Sequence, residues 1–229
     1  FEIVAGLSAS TGIPLDLVRS GSLRLARTDA HAALIEAEAA ASRSFGVELE
    51  LIDATEVNRL APYLTGAGVR RACWIPGDFY IDQPADLLAA YQTAASQLGA
   101  TIIGHTPVTG IRVERGSVAG VVTPRGEIKT ERVVNAAGAW APLVGSLAGV
   151  RVPVVTVRHQ LQISTPIAGI APTEPIARIT DAGAYLRPAG GGLMSGRFEP
   201  NPLVMSPPPG ADFTMDDVEA LAACRDDGR

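Results

Sequence analysis

The stretch from Glu131 to Pro142, ERVVNAAGAWAP, carries the plainest chemical meaning in the chain. Val133 and Val134 are β-branched and follow a polar run, so they predict the last buried steps of a strand. Asn135 to Ala139 are small or turn-forming, and a helix is expected from Ala141, with Pro142 in its first turn, where a missing N–H costs nothing. A strand running through small residues into a helix leaves bare backbone for a ligand, and a helix N-terminus suits a phosphate. The same small residues also serve simply to let a strand and a helix pack closely. Other chemistries are poorly supplied. Cys73 and Cys224 lie far apart with no CxxC or metal-ligand spacing, which makes a reducing cytoplasm the expected compartment. The motifs contain no Cys–His or Ser–His arrangement for nucleophilic catalysis.

The elements that must position this junction follow from periodicity. Phe1 to Thr11 has a short helical pattern closed by Gly12. Ser22 to Arg27 alternates strictly, predicting a half-buried strand with Leu23 and Leu25 inward and Arg24 outward. A helix is expected over Ala30 to Phe45, capped by Thr28 or Asp29. Val47 to Ile52 alternates as a strand, and Asp53 with Glu56 resembles a capping box for a helix through Leu60. Val69 to Ile75 predicts another strand. The helix opened by Asp82 and Pro84 has Leu87, Leu88, Tyr91, Ala94, Ala95 and Leu98 as its expected apolar face. A strand over Thr101 to Gly104 leads into a meander, Val108 to Glu114, Val118 to Thr123 and Ile128 to Asn135. Beyond a short helix near Leu143 to Leu147, strands are expected over Val152 to Thr156 and Arg158 to Ser164. A hairpin follows, Ala184 to Pro188 and Leu193 to Phe198, and then a helix over Phe213 to Arg225.

The chain has 229 residues, 47% hydrophobic and 19% charged, which predicts a folded core rather than disorder. The formal net charge of −5, with both signs interspersed, argues against a nucleic-acid binder. No apolar run reaches the length of a membrane span. The chain opens at Phe1 inside an apolar run and stops at Arg229 without a finishing element, so a piece of a longer protein is expected.

The order of these elements is joined by the motifs Arg19-Ser20-Gly21-Ser22-Leu23, Val133 to Trp140, Arg158-His159-Gln160, and Tyr185-Leu186-Arg187-Pro188 before a glycine turn. Together they resemble the D-amino-acid-oxidase-like superfamily of FAD-dependent oxidoreductases. The nearest branch is that of glycine oxidase, sarcosine oxidase and the sarcosine and dimethylglycine dehydrogenases. The resemblance implies a mixed α/β (α+β) fold, with a partial FAD/NAD(P)-binding domain carrying the β-meander and a substrate domain built on a large, mostly antiparallel sheet. The expected domains are 1–12 with 76–150 for the cofactor and 13–75 with 151–205 for the substrate, with 206–229 as a C-terminal loop and helix remnant. The family's N-terminal GxGxxG fingerprint is missing; Gly66-Ala67-Gly68 lacks the third glycine and opens no helix. The chain is therefore expected to be truncated at both ends, with FAD as the cofactor of its parent protein.

By the same resemblance, Val108 matches a position whose backbone meets the adenine, where a plain buried strand residue is the alternative. Ala136, Ala137 and Gly138 face the dinucleotide, and Trp140 walls the isoalloxazine or simply packs. Tyr185 matches a tyrosine that hydrogen-bonds the substrate carboxylate, apt as a directional donor on a stiff ring. Arg187, two residues on and hence on the same strand face, could pair bidentately with a carboxylate or sit in solvent. His159 sits where the family sheet faces the flavin, with Gln160 pointing the other way, and Glu199 touches the amine end of a substrate. The implied reaction is oxidation of the C–N bond of a small amino acid or N-methylated glycine by hydride transfer to flavin. Two other readings stand beside it: a non-catalytic module or binding subunit, and a related flavoenzyme oxidising a 2-hydroxy acid or glycerol phosphate. Expected partners are a small amine or amino acid and a second copy of the chain through an exposed cofactor cleft, with neither nucleic acid nor membrane.

Overall fold

The computed structural model describes residues 2–205. The helix expected over Phe213 to Arg225 lies outside them. By internal packing the chain divides into two compact units, Phe1–Ile102 with His159–Pro202, and Ile103–Arg158 with the segment that begins at Leu203.

The first unit is organised around a seven-stranded sheet. Its strands are β2 (Ser22–Ala26), β3 (Glu50–Ile52), β4 (Arg71–Ile75), β10 (Leu161–Ile163), β11 (Ile176–Ile179), β12 (Ala184–Ala189) and β13 (Gly192–Arg197). They lie in the order β10-β13-β12-β11-β2-β4-β3, antiparallel except for the β11–β2 pair. Alternation gives the sheet two faces. Leu23, Leu25 and Ala72 point to one, where α3 (Ala54–Leu60) contributes Val57 to a core with Ile52, Leu64 and Ala177. Ala26 and Cys73 point to the other, beneath Ile35 and Ala39 of α2 (Asp29–Ser44). Arg24 is also on that second face and, rather than reaching open solvent, pairs with Glu38 of α2 at 2.7 Å. Both helix starts follow the sequence: Thr28 accepts from the His31 N–H at 3.3 Å, and Asp53 accepts from the Glu56 N–H at 3.0 Å. The same unit holds α1 (Glu2–Thr11), α4 (Pro84–Gln97), and the short pair β1 (Leu17–Val18) and β5 (Tyr80–Ile81).

The α4 helix forms where its pattern predicts, but its apolar face is not buried. Ala90 is its one buried residue, while Leu88, Tyr91 and Leu98 are exposed. Periodicity fixed the helix; which face is covered depends on a neighbour, and α1 is the element packed on it.

In the second unit β6 (Gly110–Glu114), β7 (Ser117–Thr123) and β8 (Gly126–Lys129) make the expected meander. Three expected strands are not formed as such. Thr101 to Gly104 and Val152 to Thr156 have no strand, and β8 ends at Lys129 instead of Asn135; Arg158 to Ser164 is divided between β9 (Val157–Arg158), paired with β14 (Leu203–Val204), and β10 of the large sheet. Val134 is 90% exposed. β-branched residues favour extended backbone, but a strand needs a second strand to take its N–H and C=O groups. None of the described strands pairs with these stretches. The short helix α5 (Ala141–Ser146) follows a 3-10 turn at Gly138–Trp140.

Candidate active site

Tyr185 stands on β12 directly across from Gly196 on β13. The hairpin forms because alternating apolar residues flank the glycine turn Gly190-Gly191. The Tyr185 ring lies 5.4 Å, centroid to centroid, from Phe198, and Phe198 in turn makes an edge contact with His159 at 5.6 Å. Three aromatic rings thus run across the end of β13, and His159 joins this row through Phe198.

Tyr185 borders two cavities, both within the first unit. The larger, about 470 Å³, is lined by Tyr185, Glu199, Gln160, Gln162, Ser195 and Arg197, among others. Its lining is mixed, apolar surface interspersed with hydroxyl, amide, cationic and anionic groups, and its size admits a small zwitterion. The smaller, about 170 Å³, is lined by Tyr185, Arg187, Ile176, Arg178, Met194 and Phe198. Of the residues singled out in the sequence, the structure therefore brings Tyr185 to Glu199 in one hollow and to Arg187 in the other. Gln160 lies in the larger hollow and His159 does not line it.

Arg187 is committed to the protein itself. Its guanidinium is 3.2 Å from Asp82, donates to the Pro188 carbonyl at 2.9 Å and stacks over the Tyr80 ring at 4.4 Å, leaving its side chain 16% exposed. Burial pushes the Tyr80 hydroxyl up from its ordinary range, against the pull of the stacked Arg187 cation. That hydroxyl donates to the Pro172 carbonyl at 2.9 Å. Arg197 and Gln162 were not singled out from the sequence. Strict alternation along Leu193 to Arg197, with Ser195 and Arg197 sharing a face, was the signal that could have found Arg197.

The Asn135–Trp140 strip belongs to the second unit. Asn135 clamps it: its Oδ1 accepts from the Ala137 N–H at 3.2 Å and its Nδ2 donates to the Ala141 carbonyl at 2.9 Å. Val108 and Ala136 are exposed, and Ala137 and Trp140 are half-buried. Gly138 is exposed with φ +53, and a β-carbon there would meet nothing within 4 Å. The strip therefore presents backbone and methyl groups to open space, which fits a cofactor lying against bare backbone. The α5 helix, at six residues, is too short for its N-terminus to make an anion site of its own. Among the described residues there is no cluster of metal-ligating side chains and no helix long and apolar enough to cross a membrane.

The profile of a family described as FAD-dependent oxidoreductase, abbreviated DAO, matches residues 1–225. Human mitochondrial sarcosine dehydrogenase is 35% identical over 206 residues, which is 86% of this chain and 22% of that protein. The mitochondrial pyruvate dehydrogenase phosphatase regulatory subunit of Mus musculus is 31% identical over 202 residues, 86% of this chain and 23% of that protein. Among solved structures, L-proline dehydrogenase from P. horikoshii superposes with a TM-score of 0.78 at 28% identity, covering 97% of this chain and 58% of that one. The chain spans less than a quarter of the length of these curated relatives.

Proposed function

Since this chain belongs to the DAO family of FAD-dependent oxidoreductases, we propose that it is the substrate-binding part, with half of the cofactor domain, of an enzyme that oxidises the C–N bond of a small amino acid or N-methylated glycine. The observation that carries this reading is the hollow of about 470 Å³ that Tyr185 and Glu199 both line. The similarity to human sarcosine dehydrogenase supports an N-methylated glycine as the substrate class.

In this reading Ala136, Ala137, Gly138 and Trp140, with the Val108 backbone, hold FAD, which supplies the hydride acceptor when bound. Tyr185 donates a hydrogen bond to the substrate carboxylate and orients the amine. Glu199 attracts the amine end, and Phe198, itself packed on His159, holds the Tyr185 ring in place. Arg187 stiffens the strand that carries Tyr185. Residues 1–12 with 76–150 are assigned to cofactor binding and 13–75 with 151–205 to substrate. For the compartment we keep the reducing cytoplasm, supported by the buried, unbridged Cys73. A homodimer through the exposed cofactor cleft belongs to the same reading.

The test is an anaerobic titration of the purified full-length protein with sarcosine, followed at the visible flavin bands. Bleaching of those bands is expected. Bleaching by 2-hydroxy acids and not by amines would move the function to alcohol oxidation. The similarity to a regulatory subunit favours one further reading, a non-catalytic binding module; a colourless protein that never retains FAD would establish it in place of the enzyme.

A further inference from the structure

The Tyr185 side chain leans one way across its sheet, and that lean leaves room for the smaller hollow. Tyr185 stands between Arg178 on β11 and Gly196 on β13. Its ring lies over Gly196, where a β-carbon would collide with it, and so turns away from β11. Two residues along each strand, Ile176, Arg187 and Met194 share the ring's face of the sheet. On this face sits the hollow of about 170 Å³, mostly apolar, with Ile176, Met194, Phe198 and Tyr185 in its lining. Arg187 brings no free charge to it, since Asp82 holds its guanidinium and Tyr80 covers it. The exposed Arg178 can keep its head group in water while its methylenes line the hollow.

A methyl group needs far less space than this. An apolar cavity of about 150 Å³ accepts a guest of benzene size. Each methylene moved from water onto such a surface is worth roughly 4-fold in affinity. Met194, an unbranched thioether, adapts its shape to groups of different length.

We infer that this hollow receives the N-alkyl group of the substrate and selects amines whose N-alkyl chain has about two to four carbons rather than one. The inference deepens the reading of Tyr185 as a substrate contact, because Tyr185 lines this hollow as well as the larger one. Discrimination among homologous amines then comes from apolar contact with Ile176 and Met194, and it reverses once the chain outgrows the space between them.

The experiment uses the FAD-loaded full-length protein with methoxyacetate, ethoxyacetate and propoxyacetate, unreactive probes in which an ether oxygen replaces the amine nitrogen. Affinity is read from the flavin spectrum and by calorimetry. Kd is expected to fall roughly 4-fold with each added methylene. Met194→Phe fills the hollow and should flatten that gradient. The gradient is a ratio within one protein, so a general loss of stability does not imitate it. If Met194→Phe fails to fold, Ile176→Phe serves in its place. The KM for N-propylglycine is expected to lie below that for sarcosine, and the opposite order overturns the selection. A wild-type series that is flat or unbound, or a gradient that survives the filling variant, removes the subsite; sarcosine turnover in the same protein leaves the amine reading standing. A gradient abolished by the filling variant in a protein that oxidises no amine upholds the apolar subsite and removes the amine reading.

Discussion

The ring of Tyr185 occupies the space that a side chain at Gly196 would need: a β-carbon there would overlap both Cζ and the hydroxyl oxygen of Tyr185. The two residues face each other across the β12–β13 ladder. Glycine at 196 is therefore what lets the ring lie down against the neighbouring strand. Gly196→Ala should destabilise the fold by about 1–3 kcal/mol through overpacking, measured by urea denaturation. In a Tyr185→Ala background most of that cost should vanish. An equal cost in both backgrounds would show that the ring is not what fills the space.

Asp82 holds Arg187, and Asp82→Ala leaves a largely buried cation with only an aromatic face and a carbonyl for company. A loss of about 1–3 kcal/mol is expected. The double variant Asp82→Ala with Arg187→Met should cost less than the sum of the two single changes. Additive losses would indicate that the pair is not coupled.

Acid stability has an identifiable contributor in Asp181. Burial alone would raise its pKa, but the hydrogen bonds from the Arg27 side chain and backbone N–H outweigh burial and hold it below the ordinary carboxylate range. A carboxyl depressed in the folded state contributes stability that is present above its unfolded pKa of about 3.9 and is lost as pH falls through the lower folded value. Thermal midpoints of wild type and Asp181→Asn should differ near neutral pH and converge once the pH drops below roughly 4. A gap that stays constant through that window would contradict the assignment.

The Asn135 clamp fixes the strip proposed to hold FAD. Asn135→Ala removes both hydrogen bonds and should raise the FAD dissociation constant by about 10-fold, read by flavin fluorescence. Asn135→Asp keeps the acceptor for the Ala137 N–H and loses the donor to Ala141, so its effect should be smaller. Unchanged affinity in Asn135→Ala would detach this strip from the cofactor.

Much of the first unit was legible because its elements depend on near neighbours in sequence. The β2 strand, with Leu23 and Leu25 inward, follows from alternation, and the α2 and α3 starts follow from Thr28 and Asp53. The Tyr185 hairpin follows from alternation interrupted by glycines. Thr101 to Gly104 and Val133-Val134 misled for one reason. Their residue types favour extended backbone, yet whether that becomes a strand depends on a partner that composition cannot supply.

Local propensity thus determined by itself which segments coil and which extend, and the motifs around Asn135 and Tyr185 determined the family. Tertiary structure alone decided which charges were spent. Arg187 and Arg197 look alike in the chain, but folding lays Tyr80 and Asp82 against the first and a hollow against the second. The physical reason is that a charge's availability is set by whatever lies within a few ångströms of it, and the Asp82 that meets Arg187 is 105 residues away in the chain.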